Sequence, residues 1–268
     1  MARAPVVPLV ESRSGNIWRV RMLGDYVNGF LVRDPDGQVT LIDVGLRRSA
    51  PRVLEALGAV GSAPSQVTRI VLTHAHADHA GAAAALSDRT GRDVDVHRAD
   101  AAYIRAGEAA PVSGVARLLP RRVFSFAAAT VGEELVDGQL LDVAGGLRVV
   151  HTPGHSPGHI SLVHEDSRLL ITGDALFNMR GVGWPGKYFC TDFRLTQRTA
   201  HVLGELDYDL AAFTHGPELR ERPRETIRAF LRRHPSTAVS GGTQVLSPRR
   251  LGTRLAGEAP LSAVWPRW

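Results

Sequence analysis

The chain has 268 residues, of which 44% are hydrophobic and 22% charged, and its formal net charge is +5 at pH 7. This length suits one α/β domain or two small domains, and the apolar content is enough for a large core. A single cysteine excludes an internal disulfide framework and a paired-cysteine metal site, and no run approaches the roughly 18 apolar residues needed to span a bilayer.

The first part of the chain predicts strands joined by an antiparallel meander, followed by alternating helices and strands. Apolar, β-branched runs surround the turn sequence at 34–37, and helical spacing of apolar residues follows them. The predicted strands are 17–23, 29–33, 39–44, 69–72 and 93–97, and the predicted helices are 50–60, 80–86 and 99–106. From 107 to 131 the pattern weakens, which indicates an inserted lid or a helical excursion outside the core.

The second part of the chain repeats the order of strands followed by helices. The predicted strands are 140–143, 147–151, 160–164, 169–172 and 210–214, and the predicted helices are 195–206 and 225–233. Residues 236–268, rich in Gly, Ser, Arg and Pro, predict an irregular C-terminal tail. Because strands precede helices twice, residues 1–235 are predicted to form an α/β domain, an αββα sandwich of two mixed β-sheets flanked by helices.

The segment Thr73-His74-Ala75-His76-Ala77-Asp78-His79 carries the strongest functional signal. On an extended segment, alternation places residues 74, 76 and 78 on one side, and a turn into the following helix brings His79 beside them. Histidine nitrogen and carboxylate oxygen are ligands that zinc accepts at about 2.0–2.2 Å. The segment therefore predicts part of a metal site rather than a His-rich surface loop.

Three more candidate ligands lie at the ends of later strands, each with a glycine close by. They are His155 in Thr-Pro-Gly-His-Ser-Pro-Gly-His, Asp174 in Leu-Ile-Thr-Gly-Asp, and His215 in Ala-Phe-Thr-His-Gly-Pro. Loops at strand ends are where rigid scaffolds place functional groups. Five histidines and two aspartates are too many for one tetrahedral zinc, so the count predicts a two-metal site.

Taken in order, the segments HAHADH, TPGHSPGH, TGDALF and FTHGP strongly resemble the metallo-β-lactamase superfamily, and within it the glyoxalase II-like and lactonase-like branch. The resemblance implies the αββα fold with the site at one edge, and it implies that Asp43 orients a ligand imidazole. It also implies two zinc ions, with Asp174 bridging them. The first would be held by His74, His76 and His155, and the second by Asp78, His79 and His215.

Two departures from the family pattern bear on the substrate. Phe177 stands where lactonases of this type usually carry a tyrosine, so a phenol hydrogen bond to the substrate is missing. Glyoxalase II enzymes carry a basic C-terminal helical domain that grips glutathione, and residues 217–268 are too short and irregular to match it. Neither named activity is therefore predicted specifically.

The resulting prediction is a hydrolase that cleaves an ester, thioester or lactone bond with a hydroxide bridging two zinc ions. Asp78 or Asp174 would take up the proton as the catalytic carboxylate, and iron or manganese are alternative metals. We expect a small-molecule substrate, and no nucleic-acid partner because the arginines are scattered in pairs. We also expect a cytoplasmic protein without membrane contact, because the N-terminus lacks the apolar run of a signal peptide. The oligomeric state is left open.

Three rival functions use related sites. Persulfide dioxygenases resemble the same branch but use one iron, held by two histidines and an aspartate. A phosphodiesterase acting on nucleic acid shares the two-metal chemistry but would need an organised basic surface. An antibiotic-hydrolysing β-lactamase would normally be exported.

The remaining histidines, the single cysteine and three aromatic residues of one loop could each have a structural or a functional role. His151 and His159 share the loop of His155 and are assigned structural roles, and Cys190 is expected to be a buried apolar residue rather than a nucleophile. Four histidines are expected to lie on the surface or to be satisfied by neighbours: His97, His164, His201 and His234. Three aromatic residues either belong to the core or line a substrate pocket: Trp184, Tyr188 and Phe189.

Overall fold

The computed structural model describes residues 5–120 and 124–235, apart from the side chains of Val115 and Arg117. These residues belong to one unit, Met1–Thr237. The predicted tail at 236–268 lies outside the described residues.

Seven strands form the first sheet, in chain order from one edge to the other. They are β1 Val6–Ser12, β2 Gly15–Arg21, β3 Asn28–Arg33, β4 Val39–Ile42, β5 Val67–Leu72, β6 Val94–His97 and β7 Val131–Leu135. The strands β1 to β4 pair antiparallel, and β4 to β7 pair parallel. The predicted antiparallel meander is therefore confirmed for β2 to β4.

The two edge strands of this sheet, β1 and β7, were not predicted. In β1 the pairing register shifts between Pro8 and Val10, as is typical of a proline that cannot donate to a ladder and is confined to edges. In β7 the sequence Val-Gly-Glu-Glu-Leu buries only its two ends, so its apolar pattern is too sparse to indicate a strand. The prediction of 107–131 as a segment outside the core is thus wrong at Val131, where β7 begins. It is also wrong at three residues that are buried in the same core cluster as Val131: Ala110, Phe126 and Ala129.

Five strands form the second sheet, in the order β12-β11-β10-β9-β8. They are β8 Leu140–Leu141, β9 Leu147–His151, β10 Ile160–His164, β11 Leu169–Ile171 and β12 Leu210–Ala212. The strands β11 and β12 pair parallel, and the other neighbours pair antiparallel. Both sheets are therefore mixed.

Helices cover the outer faces of the two sheets. They are α1 Ala50–Ala59, α2 Ala77–Ala80, α3 Ala83–Thr90, α4 Ala101–Ala106, α5 Phe193–Thr199 and α6 Pro223–Arg233. The single helix predicted at 80–86 is wrong, because the chain is divided between α2 and α3 at Gly81, where a Cβ would lie 2.5 Å from the backbone nitrogen of Arg47. The helix predicted at 195–206 is α5 continued by a 3-10 turn, Ala200–Gly204. Among the described residues, every helix is too short or too polar to cross a bilayer.

Alternation along the strands sorts the apolar side chains into three layers. In β11, Leu169 and Ile171 pack between the sheets, whereas Leu170 packs in the cluster that contains Ile227 of α6. In β3, Leu31 belongs instead to the cluster that contains residues of α1, α3 and α4. This order of layers confirms the predicted αββα sandwich.

Residues 107–120 and 124–130 lie between α4 and β7 and contain a 3-10 turn, Gly114–Leu118, but no α-helix. The backbone N–H of Ala110 donates to the carbonyl of Ala75 over 2.8 Å, and that of Phe126 donates to Gly107 over 3.0 Å. The first of these bonds joins the segment to the His-rich loop after β5. The described part of this excursion therefore lies beside the candidate site.

Candidate metal centre

All seven predicted ligands come together at the ends of strands. The loop after β5 supplies four of them, and single ligands follow β9, β11 and β12. They form three groups, in each of which the ligand atoms lie within 4.8 Å of one another: His74, His76 and His155; His74, His79 and Asp174; and Asp78, His79 and His215. The folding of both sheets thus assembles side chains that are up to 141 residues apart, His74 and His215.

Three imidazole nitrogens converge in the first group. The Nδ1 atom of His76 lies 3.0 Å from Nε2 of His74 and 2.9 Å from Nε2 of His155. A tetrahedral zinc with nitrogen ligands at 2.0–2.1 Å holds them about 3.3 Å apart. The spacing in this group is close to that of a coordination sphere.

The second group combines one carboxylate with two imidazoles. The Oδ2 atom of Asp78 lies 3.4 Å from Nε2 of His215 and 3.7 Å from Nε2 of His79. The loop of His215 is held by Asn28, whose side-chain amide donates to the carbonyls of Phe213 and Gly216. These three ligand atoms are also spaced for one metal ion.

The carboxylate of Asp174 lies between the two groups. Its Oδ2 atom is 3.2 Å from Nε2 of His155 and 3.3 Å from Nε2 of His215, and its Oδ1 atom is 3.4 Å from Nε2 of His79. The hydroxyl of Thr214 donates to Oδ1 over 2.7 Å and fixes the carboxylate. The Oδ2 atom of Asp174 therefore lies beside ligand atoms of both groups.

Electrostatics differ between the two groups. Burial, together with the neighbouring imidazoles, holds the pKa values of His74 and His155 well below the usual range. Burial also opposes a charge on His215, but the Asp174 carboxylate overcomes it and raises the pKa of His215 to about 10. Despite its burial, Asp174 has a pKa well below its usual range because of His215 and His79. The first group thus offers neutral nitrogens, whereas His215 carries a proton that a metal must displace.

The donor set fits a metal such as zinc. The Nε2 atom of His79 is buried and has no hydrogen-bond partner in the described part of the chain, although it faces Asp78 and Asp174. An orphaned buried nitrogen is costly unless something binds it. Because the other donors are imidazoles and carboxylates, His79 is suited to bind a borderline cation.

Asp43 holds His79 from behind, as the resemblance implied. The Nδ1 N–H of His79 donates to Oδ2 of Asp43 over 2.8 Å, so Nε2 is left free to face the cluster. Asp43 also accepts hydrogen bonds of 2.8 Å from the backbone N–H and the hydroxyl of Thr73. Such a carboxylate fixes the tautomer and orientation of a ligand imidazole.

His159 supports Asp174 rather than joining the ligands. The backbone N–H of Asp174 donates to Nε2 of His159 over 2.7 Å, and Nδ1 of His159 lies 3.0 Å from the carbonyl of Thr152. Burial lowers the pKa of His159 to about 3, so the ring stays neutral and accepts this bond. Gly173, with a φ of +53°, lies so close that a Cβ there would be 2.6 Å from Nε2 of His159.

Asp100 is a functional residue that the sequence analysis missed. It is fully buried after β6, and its carboxylate accepts hydrogen bonds from the backbone N–H of Ala75 at 2.9 Å, the hydroxyl of Ser156 at 2.6 Å and the backbone N–H of Gly158 at 2.6 Å. It therefore ties the loop of His74 and His76 to the loop of His155. The signal available was its position shortly after the predicted strand 93–97, since loops at strand ends are where functional groups are placed.

Cys190 is buried, as predicted, but its contact with a candidate ligand was not foreseen. Its sulfur lies 3.5 Å from Nδ1 of His155, on the far side of the ring from the cluster. Burial raises the pKa of this thiol to about 12, so it stays protonated at neutral pH. Cys190 packs behind His155 and has no thiolate character.

The four histidines predicted to lie on the surface or to be hydrogen-bonded by neighbours differ in their burial and contacts. His97 is buried and stacks on His151 with ring centroids 3.9 Å apart. His164 is also buried, and its Nδ1 atom lies 2.8 Å from the hydroxyl of Ser167. His201 contacts the carbonyl of His234 through Nε2. All of these rings lie outside the three ligand groups.

Two cavities open over the candidate ligands. One, of about 390 Å³, has Phe189 in its wall, and the other, of about 650 Å³, is lined by Trp184. Trp184 also packs on Phe230 with ring centroids 4.9 Å apart. Tyr188 instead packs against Gly114 of the excursion. Of the two alternatives for these aromatic residues, Phe189 lines a cavity, whereas Trp184 both lines a cavity and packs against the core cluster that contains Phe230.

The chain is similar to known proteins of one superfamily. A family model described as the metallo-beta-lactamase superfamily matches residues 22–241. The chain is 27% identical over 194 residues to the "Probable metallo-hydrolase YybB" of Bacillus subtilis, a match that covers 72% of this chain and 82% of that protein. It is 33% identical over 151 residues to a hydroxyacylglutathione hydrolase of Cereibacter sphaeroides, a match that covers 56% of this chain and 48% of that protein.

Solved structures give the same result for the fold. A metallo-β-lactamase of Cronobacter sakazakii with a HARLDQ motif matches with a TM-score of 0.61 and 25% identity, over 79% of this chain and 78% of that one. The family model, the sandwich of two mixed sheets and the ordered ligand loops agree. This protein belongs to the metallo-β-lactamase superfamily.

Proposed function

We propose that this protein is a binuclear zinc hydrolase that cleaves an ester, thioester or lactone bond of a small molecule. The observation that carries the proposal is the pair of ligand groups joined by Asp174, with ligand atoms 2.9–3.7 Å apart. His74, His76 and His155 would hold one ion, and Asp78, His79 and His215 the other. A cytoplasmic location belongs to the same proposal.

Metal ions held by these residues would supply a water of lowered pKa and would polarise a carbonyl group. The two aspartates then have different roles, because their exposure differs. The side chain of Asp78 is 34% exposed and lines the cavity, whereas that of Asp174 is 4% exposed and is fixed by Thr214. Asp78 is therefore the residue that takes the proton from the attacking water and returns it to the leaving group. Asp174 holds the two halves of the site together.

The orienting residues keep this arrangement rigid. Asp43 fixes the His79 ring, and His159 fixes the backbone at Asp174. Because both contacts are buried, water competes with neither of them. The carbonyl of a bound substrate would therefore meet ligands whose positions are set before it arrives.

The similar proteins support hydrolysis of an acyl bond, but they do not agree on which type of bond is cleaved. The relative named a hydroxyacylglutathione hydrolase supports a thioester, yet the match spans about half of that protein's length. The metallo-β-lactamase structures support the fold. Phe177, at the position of the missing tyrosine, removes one argument for a lactone.

The proposal is tested by removing the bound metals, reloading the protein with zinc and assaying aryl esters, thioesters and lactones. Zinc should restore hydrolysis, and His76→Ala should lose metal and activity while keeping the fold, because the sheet core does not include His76. The matched control is His201→Ala, which removes an imidazole far from the ligand groups and should keep both. Equal rates for His76→Ala and the unaltered protein would show that the site is wrongly assigned.

A further inference from the structure

The cavity over the metal centre has candidate metal ligands at its floor and apolar side chains in its walls. Its floor contains five candidate ligands, and its volume is about 390 Å³, within the range of small-molecule sites. The side chains that form the walls come from three separate segments: Leu46, Val112, Phe124, Phe177 and Phe189. A molecule that reached the ligands would therefore be surrounded by hydrocarbon.

Two of these wall residues are exposed although they are apolar. Leu46 is 38% exposed and Phe189 is 52% exposed, and both lie at the cavity rather than elsewhere on the surface. Apolar side chains that converge on a concave site mark a place where a ligand buries them. Their convergence on this cavity indicates that its ligand is apolar.

Phe177 makes the floor of the cavity partly apolar, which favours an apolar substrate. Its ring lies 4.3 Å from the His215 ring, between centroids, and it lines both cavities. A phenyl ring at this position offers no hydrogen bond to the substrate. A polar acyl group placed against it would leave its own polar atoms unpaired, which binding penalises strongly.

A second cavity, of about 650 Å³, meets the first at Phe177 and His215. Its lining includes Tyr26 and the exposed Arg180, so it is more polar than the first. A substrate whose carbonyl lies over the ligands thus has an apolar space on one side and a more polar space on the other.

We propose, on the basis of the hydrolase function above, that the substrate is an ester or thioester of an apolar acyl group. The acyl chain occupies the cavity walled by Leu46, Val112, Phe124, Phe177 and Phe189. The leaving group occupies the second cavity. Hydrolysis breaks the bond between the acyl carbon and the ester oxygen or thioester sulfur. Water supplies the hydroxyl group of the acid product and the proton of the alcohol or thiol.

The test is a series of aryl esters with one leaving group and acyl chains from acetyl to dodecanoyl, assayed with the zinc-loaded protein. Each added methylene that enters the cavity should raise kcat/KM about fourfold, until the chain no longer fits. Phe189→Ala should make this increase shallower, because it removes one wall. Leu140→Ala is the matched control, since Leu140 is similarly exposed, at 55%, but lies on β8 outside both cavities.

A second arm is independent of catalysis. Linear carboxylates of the same chain lengths, as product analogues, should bind the zinc-loaded protein more tightly with every added methylene, as measured by calorimetry. Hydrolysis with no dependence on chain length in either series would overturn the acyl pocket and leave the hydrolase standing. Carboxylate affinity that rises with chain length, without hydrolysis of any ester, thioester or lactone, would support the apolar pocket and refute the hydrolase.

Discussion

Replacing Asp100 by asparagine tests whether the two ligand loops depend on a shared buried carboxylate. Oδ2 of Asp100 accepts from Ala75 and Ser156, and Oδ1 accepts from Gly158. Asparagine has the same shape but only one carbonyl oxygen. If that oxygen takes the place of Oδ2, the new amide group meets the N–H of Gly158, donor against donor. The opposite orientation would displace two donors instead of one.

The magnitude follows from these contacts. One buried donor left without an acceptor costs about 1–3 kcal/mol, and the loss of charge from the other bonds adds to it. We therefore expect Asp100→Asn to lower the free energy of unfolding by about 2–4 kcal/mol. Because the loops of His76 and His155 lose their common support, the affinity of the first ligand group for zinc should fall about 10–100-fold.

Asp95→Asn is the matched control for this experiment. Asp95 lies on β6, the strand that precedes Asp100, with its side chain 11% exposed, and it accepts hydrogen bonds from Arg69 and from the backbone of Glu133. Its replacement should destabilise the protein without touching either ligand loop. Zinc affinity is measured by competition with a chromophoric chelator, and stability by denaturant unfolding of the metal-free protein. If Asp100→Asn lost stability but bound zinc as tightly as Asp95→Asn, the proposed positioning role would be refuted.

Three further predictions address the electrostatics, the backbone and the core. Zinc binding to the second group should release more protons than binding to the first, because His215 has a pKa of about 10 and is protonated at neutral pH, whereas His74 and His155 are already neutral. Raising the pH should therefore strengthen the second site about tenfold per pH unit for each proton displaced, and equal proton release in calorimetry would contradict this. Gly173→Ala should weaken zinc binding, because a Cβ would lie 2.6 Å from Nε2 of His159 and displace the ring that receives the N–H of Asp174; an unchanged competition titration would count against this support. Leu162→Ala should cost about 2–5 kcal/mol in urea unfolding, because Leu162 is fully buried between the sheets, and a cost near zero would contradict the packing.

The ligands could be predicted from the sequence because each lies in a short motif at the end of an apolar strand. His74 to His79 follow β5, and Asp174 follows β11, so local pattern and chemistry coincide there. The layers were predictable for a related reason, since alternation in strands such as β10 and β11 divides their side chains between two faces. Local sequence pattern was sufficient to predict the site wherever a strand with buried apolar side chains is followed directly by a ligand motif.

The supporting contacts could not be predicted, because they depend on which elements become neighbours. Asp100 reaches Ser156 across 56 residues, and Cys190 reaches His155 across 35. No periodicity in the sequence specifies that the loop after β6 meets the loop after β9. The edge strands β1 and β7 could not be predicted for a different reason. An edge strand buries few side chains, so apolar and polar residues show little alternation along it.

The binuclear site is tested most directly by the metal content of the protein purified without chelators, measured by elemental mass spectrometry. The ligand geometry predicts close to two zinc ions per chain, falling in His76→Ala but not in His201→Ala. About one iron per chain with little zinc would contradict the binuclear zinc hydrolase and would indicate an oxygen-dependent reaction on persulfides instead.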